Sequence, residues 1–259
     1  MKKWLGCLCA AAILLGGSAS AYDMNTLAGR TLPPNFTYRA VPGQQELRFM
    51  GSTIPYTMGQ LAVTMQKSNR FFSGYLIMTR LPVEMTGQMR RYFMLNPDQE
   101  TWNGLIAFNR ALLDPESSFR AGIRSVFLGL AEDIVGKERG KAVQVEISEI
   151  EPFRRLSSDA NYLFTMGGKV TYSVDGLLFP MYTKVYFFLG NGGIETMALL
   201  TPDEGKAPLV YGIDDLARAA AKESFLGKTD YEELGVILAR HQQYQEQQEK
   251  SEKVSSTEK

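Results

Sequence analysis

Residues 161–200 read NYLFTMGGKVTYSVDGLLFPMYTKVYFFLGNGGIETMALL, three β-rich runs separated by glycine turns. Val170, Tyr172 and Val174 alternate with Lys169, Thr171, Ser173 and Asp175, the period of a strand with two unlike faces. Val174-Asp175-Gly176-Leu177 is a hairpin signal, because Asp-Gly suits the positive φ angles of a tight turn. Gly190-Asn191-Gly192-Gly193 marks a second, looser reversal. Between the turns, Met181 to Leu189 is apolar on both sides, with only Lys184 charged. Such a run predicts a central strand covered on both faces. The expected fold class is therefore α+β: an antiparallel sheet with a central strand meander, packed by helices.

Downstream of the meander, Pro202 to Pro208 reads as a polar turn and Leu209-Val210-Tyr211 as an edge strand. Asp214 is expected to cap a helix with Leu216, Ala219 and Ala220 inward. Thr229-Asp230-Tyr231-Glu232 fits a capping box, opening a C-terminal helix over 227–241 with Leu234, Ile237, Leu238 and His241 on its stripe. Residues 242–259, mostly Gln, Glu, Lys and Ser, read as a polar disordered tail.

Upstream, Ala142 to Ile150 alternates as a strand, with Val143, Val145 and Ile147 on one side. Two helical stripes precede it. Asn96-Pro97-Asp98 offers a cap and first-turn proline, followed by Trp102, Leu105, Ile106, Asn109 and Leu112. Asp114-Pro115-Glu116 restarts the pattern with Phe119, Ile123, Phe127, Leu130 and Ile134, leaving Arg120 and Arg124 off the stripe. Together they predict an αα-hairpin on the sheet, closed by Gly136 to Gly140. Met85 to Leu95 is compatible with helix or strand. Gln60–Met65 and Tyr75–Leu81 read as strands around a polar turn at 67–70. Pro42-Gly43 reads as a hairpin between Phe36–Val41 and Glu46–Met50. Residues 22–35 form an extended lead-in, and 36–226 a single domain.

The N-terminus has the form of a secretory signal over 1–21. Lys2 and Lys3 precede the apolar run Leu5 to Leu15, and Ala19-Ser20-Ala21 supplies a cleavage site before Tyr22. The run is shorter than the roughly 20 residues a bilayer span needs, so no transmembrane segment is expected in the mature chain. A short Met-Lys-Lys start suggests a bacterial protein, periplasmic or secreted. Cleavage would remove Cys7 and Cys9, the only two cysteines, and with them any disulfide or thiol chemistry. The formal balance of 28 basic and 28 acidic residues would turn slightly acidic, which implies no nucleic-acid partner.

Catalytic constellations are sparse. His241 is the single histidine and lies at the end of the last stripe, so neither a Ser-His-Asp relay nor a zinc site is expected. The run 136–141 (GKERGK) lacks phosphate-loop spacing, Gly167-Gly168-Lys169 is followed by Val170, and no cofactor is implied. Glu146, Glu149 and Glu151, near one strand end, leave open a carboxylate hydrolase. The other candidate is a binding surface: Tyr182, Lys184 and Tyr186 alternate on one side of the central strand, with Tyr172 on its neighbour. Tyrosines with a lysine stem suit a ligand or protein contact, or else the face is covered by helices.

The layout also resembles the PsbP-like fold of photosystem extrinsic subunits and bacterial envelope proteins, over roughly Phe36 to Ser224. The residues carrying it are Val185-Tyr186-Phe187-Phe188 before the Gly190–Gly193 turn, Ile194 to Leu200, and Ile213-Asp214-Asp215-Leu216 opening a helix. That resemblance implies a mostly non-enzymatic protein acting through partners. The expectation is a binding or assembly protein of the cell envelope, met by a protein partner or an apolar small molecule. A lipid carrier is one alternative, for which the chain's 12 methionines would suit an adaptable cavity. A carboxylate hydrolase is the other.

Overall fold

The computed structural model describes residues 23–49, 52–82, 89–93, 98–136, 142–156, 163–190 and 193–225. They form an α+β fold on a seven-stranded antiparallel sheet. Its strands are β1 (Phe36–Phe49), β2 (Ser52–Met65), β3 (Arg70–Pro82), β4 (Gln144–Arg155), β5 (Leu163–Val174), β6 (Leu177–Gly190) and β7 (Gly193–Pro202). The order β1-β2-β3-β7-β6-β5-β4 sets two meanders side by side, joined where β3 pairs with β7. The helices are α1 (Met24–Thr31), α2 (Met89–Tyr92), α3 (Gln99–Leu113), α4 (Ser118–Val135) and α5 (Lys206–Phe225), with a 3-10 turn at Asp203–Gly205.

Strand alternation divides the interior into two layers. On one face Leu61, Leu76, Phe188 and Leu199 pack under Leu27 of α1 and Leu209, Ile213 and Leu216 of α5. On the other, Tyr56, Ile77, Val170 and Leu200 pack under Phe127 and Leu130 of α4. A third cluster joins Leu112 of α3 to Phe153, Phe164 and Phe187. The expected meander is present. Val174 pairs with Leu177 across Asp175 (φ 50°) and Gly176 (φ 79°), both positive as this tight turn requires. From Tyr182 to Leu189 every residue of β6 except Val185 is buried, as a strand covered on both faces should be.

Several local expectations are corrected. The lead-in 22–35 is not extended throughout: Asp23 accepts hydrogen bonds from the amides of Asn25 and Thr26 and caps α1. Met24, Leu27 and Ala28 then bury one face of that helix, and Arg30 pairs with Glu223 of α5. Pro42-Gly43 is a bulge inside β1, not a hairpin. Val41 faces Met58 and Gln45 faces Tyr56, so three residues of β1 oppose Thr57 alone. Gly43 takes φ 98° there. Proline's missing N–H is tolerated because β1 is an edge strand. The reversal lies between Phe49 and Ser52, which pair.

Leu209-Val210-Tyr211 is not an edge strand, and Asp214 caps nothing. Both lie inside α5, whose Leu209, Ile213, Leu216, Ala217, Ala220 and Ala221 form one buried stripe at helical spacing. Pro208 is accommodated in the first turn.

The αα-hairpin is present with shifted caps. Asp98 accepts from the Thr101 amide at 2.8 Å, and Ser117 from the Arg120 amide at 3.1 Å. Of the expected stripe Leu105 and Leu112 do turn inward, joined by Thr101 and Phe108, whereas Trp102 and Ile106 are half-exposed. Arg120 is buried, contrary to its off-stripe reading. Its guanidinium donates to the carbonyls of Leu112 (3.2 Å) and Ile147 (2.7 Å), tying the helix pair to β4. Of Met85–Leu95, residues 89–92 are the helix α2.

The remaining expectations lie outside the described residues: the signal at 1–21, residues 83–88 and 94–97, the closing loop at 137–141, the helix 227–241 with His241, and the tail 242–259.

Candidate functional site

The predicted tyrosine face divides in two. Tyr182, Lys184 and Tyr186 sit opposite Lys169, Gly167 and Thr165 of β5, all directed toward α5. Tyr172 pairs with Phe179 and points to the other side, where its hydroxyl donates to the Phe127 carbonyl of α4 at 3.4 Å. The three β6 residues are buried beneath α5, Tyr186 completely and Lys184 at 8 % exposure. They are joined into a polar ladder. Lys184 Nζ donates to Asp214 Oδ1 at 2.8 Å, and the Tyr186 hydroxyl donates to the same oxygen. Tyr182 donates to Glu151 Oε1 at 2.9 Å, which also accepts from Lys206 Nζ at 3.1 Å. The Lys206 ammonium lies 4.1 Å above the Tyr182 ring. Gly167 leaves the room this needs, since a Cβ there would stand 2.9 Å from the Thr183 carbonyl and 3.1 Å from the Tyr182 hydroxyl.

Each cation of this ladder meets a carboxylate, and two of the three carboxylates singled out from the sequence, Glu149 and Glu151, are engaged in it or beside it. Glu151 holds Tyr182 and Lys206. Glu149 lies 3.7 Å from Lys169, which also pairs with Asp203 at 3.4 Å. Glu146 is exposed on β4. The arrangement fastens α5 and its preceding turn to β4, β5 and β6.

Burial, then the Asp214 charge and hydrogen bond, raises the Tyr186 hydroxyl far above its ordinary range. Burial and then Glu151 raise Tyr182, and burial alone raises Tyr172. Tyr38, partly buried and near Asp23, is pushed up to about 12. A phenol ionises near pH ~10 in the unfolded chain, so the folded protein holds these protons more tightly. Their contribution is complete below that pH and is lost as pH rises above it, because only the unfolded state gains by ionising. Urea midpoints should therefore decline above about pH 10, and Tyr186→Phe should make that decline shallower.

A second feature was not anticipated. Between α2, α3 and strands β4 and β5 lies a pocket of about 410 Å³, with Tyr92, Trp102, Leu105, Phe153 and Phe164 in its walls and Thr101, Arg154 and Arg155 beside them. Phe153 is its hub. The ring stacks on Phe164 at 4.8 Å and meets Phe108, Phe187 and Tyr92 edge-on at 5.2, 5.4 and 6.3 Å.

Asn109 explains how a helix is held against this strand. Its side chain accepts from the Phe153 amide at 2.8 Å and donates to the Phe153 carbonyl at 3.1 Å. It does so where the β4–β5 register shifts between Glu151 and Arg154, so the amide replaces a missing ladder partner. A polar residue in an apolar helical stripe was the one signal in the sequence that pointed here.

Among the described residues no group of three or more His, Cys, Asp or Glu is placed to hold a metal ion. No helix among them is long and apolar enough to cross a membrane. No protein-family model, curated protein or solved structure matches the chain.

Proposed function

We propose that this chain is a non-catalytic binding protein of the bacterial cell envelope that takes an apolar small molecule in the pocket between α3 and β4. The pocket carries the reading. At about 410 Å³ it falls within the roughly 300–1,000 Å³ of small-molecule sites, and four of its eight lining residues are aromatic. The envelope address rests on the signal-like residues 1–21, and the resemblance to PsbP-like proteins agrees with a role without chemistry. A carboxylate hydrolase gains no support from Glu149 and Glu151, whose side chains are engaged by Lys169, Lys206 and Tyr182. A protein partner is the second reading. It is favoured by the β5–β6 hairpin, where Leu177, Leu178 and Phe179 are 64 %, 67 % and 49 % exposed.

Native mass spectrometry of gently purified protein separates the two readings. A co-purifying apolar molecule supports the pocket; a stoichiometric protein supports assembly; a bare monomer that also fails to take up dodecanol overturns the proposal. Trp102 is 48 % exposed at the pocket wall, so its removal should touch binding more than folding. Trp102→Ala is expected to weaken dodecanol binding about tenfold, ~1.4 kcal/mol, with the thermal midpoint nearly unchanged. An unaltered affinity would place the ligand elsewhere.

A further inference from the structure

We propose that the end of the sheet opposite the pocket is a self-association surface, met by a second copy of this chain across a two-fold axis. Of the large apolar side chains left exposed among the described residues, Met65, Phe71, Leu177, Leu178 and Phe179 belong to two hairpin ends there, β2–β3 and β5–β6. The registers put those ends level. Tyr75 of β3 and Thr183 of β6 both pair with Leu200 of β7. Above that level β3 rises five residues to Arg70 and β6 rises six to Leu177, so the two ends differ by about 3 Å at the usual strand rise. β7 is the middle strand of the seven and ends at Pro202, with β3 and β6 as its immediate neighbours, so one hairpin stands on each side of it at equal offset. Strand parity makes each hairpin apolar on both faces. Phe71, Leu177 and Phe179 lie on the α4 face with Tyr75, Ile77 and Met181, whereas Met65 and Leu178 lie on the α5 face with Leu61 and Tyr182.

A copy turned about an axis normal to the sheet and in line with β7 sets each β2–β3 end against a β5–β6 end. Phe71 then meets the partner's Leu177 and the partner's Phe179 on one face, and Met65 meets the partner's Leu178 on the other, an isologous contact made twice. The charges agree with that pairing. Lys67 and Asp175 are the exposed charges of the two turns, and the axis brings each to the other. Arg70 and Lys169 nearby are paired within the chain, to Glu204 at 3.5 Å and Asp203 at 3.4 Å. The five apolar side chains expose on the order of 600 Å², at about 200 Å² for a whole large side chain. With the turn residues added, each protomer approaches the ~800 Å² per partner of a standard interface. A bilayer fits this end less well, because Lys67, Asn69 and Asp175 lead the hairpins and would enter before any apolar group. A flat protein surface would cover only one face of each hairpin.

The test is sedimentation equilibrium of the full chain from nanomolar to submillimolar concentration, where a reversible monomer–dimer equilibrium is expected. Leu178→Ser combined with Phe179→Ser should raise the dissociation constant at least tenfold, with thermal midpoint and dodecanol affinity little changed. Lys67→Glu should weaken the dimer about tenfold, because it sets like charges together at both contacts, and adding Asp175→Asn should recover most of that loss. Asparagine tolerates the positive φ of 50° at that turn. A chain that stays monomeric, a dimer indifferent to the serine changes, or no recovery in the double variant overturns the inference. So does a monomer that binds phosphatidylcholine vesicles or a different protein through these hairpins. The wild-type measurement decides even if a variant does not fold. Dodecanol uptake is read separately, so loss of the dimer leaves the pocket reading standing, and an empty pocket leaves the dimer.

Discussion

Asp214→Leu should lower the unfolding free energy by about 3–5 kcal/mol, the range for removing one partner of a buried ion pair. Lys184 would remain at 10 % side-chain exposure with its counter-charge gone, and the Tyr186 hydroxyl would lose its acceptor. Asp214 itself keeps 25 % of its side-chain surface open, so water relieves part of the penalty and the lower end is expected, about 3 kcal/mol. The size of this loss does not measure the net worth of the ladder. Lys184→Met, Tyr186→Phe and Asp214→Leu together replace the network by apolar groups of similar volume. That triple variant should return to within about 1 kcal/mol of the wild type. Urea unfolding of the three proteins checks both statements. A neutral single variant would mean that Lys184 escapes to solvent along its stem.

Phe153→Ala should cost about 3–5 kcal/mol and also loosen the pocket. The side chain is 2 % exposed and touches four other aromatic rings, so its deletion leaves a void that few neighbours can fill. Asn109 holds the backbone of the same residue, which limits how far β4 can move to close the gap. Phe153→Leu keeps most of the volume and should cost less than half as much. The readouts are the urea midpoint and dodecanol affinity. A variant that loses affinity but not stability would show that the rings line a pocket without forming the core of this end of the sheet.

The meander at 163–202 was legible because its signals are local. Period-two alternation, an Asp-Gly turn and a run apolar on both faces need no distant partner to be read. The same holds for the shared orientation of Tyr182, Lys184 and Tyr186. Signals that depended on choosing between neighbours misled. Asn96 and Asp98, or Asp114 and Ser117, are all competent caps by residue type; the helices start from Asp98 and Ser117, and no local pattern chooses between such neighbours. Leu209-Val210-Tyr211 is too short an apolar run to distinguish strand from helix until the sheet it covers is present. Pro42-Gly43 is turn chemistry that an edge strand can also absorb as a bulge.

The residue chemistry of the chain decided the fold class and the pattern along β5, β6 and β7, since both follow from side-chain period and turn geometry. Register and helix placement decided the rest. Tyr172 left the predicted face because it pairs with Phe179, which points away from α5. Asp214 became the acceptor for Lys184 and Tyr186 because α5 runs unbroken through it. The aromatic pocket brings together residues from α2 to β5, from Tyr92 to Phe164, and no local pattern encodes a contact made only when helix α3 settles on a broken stretch of β4.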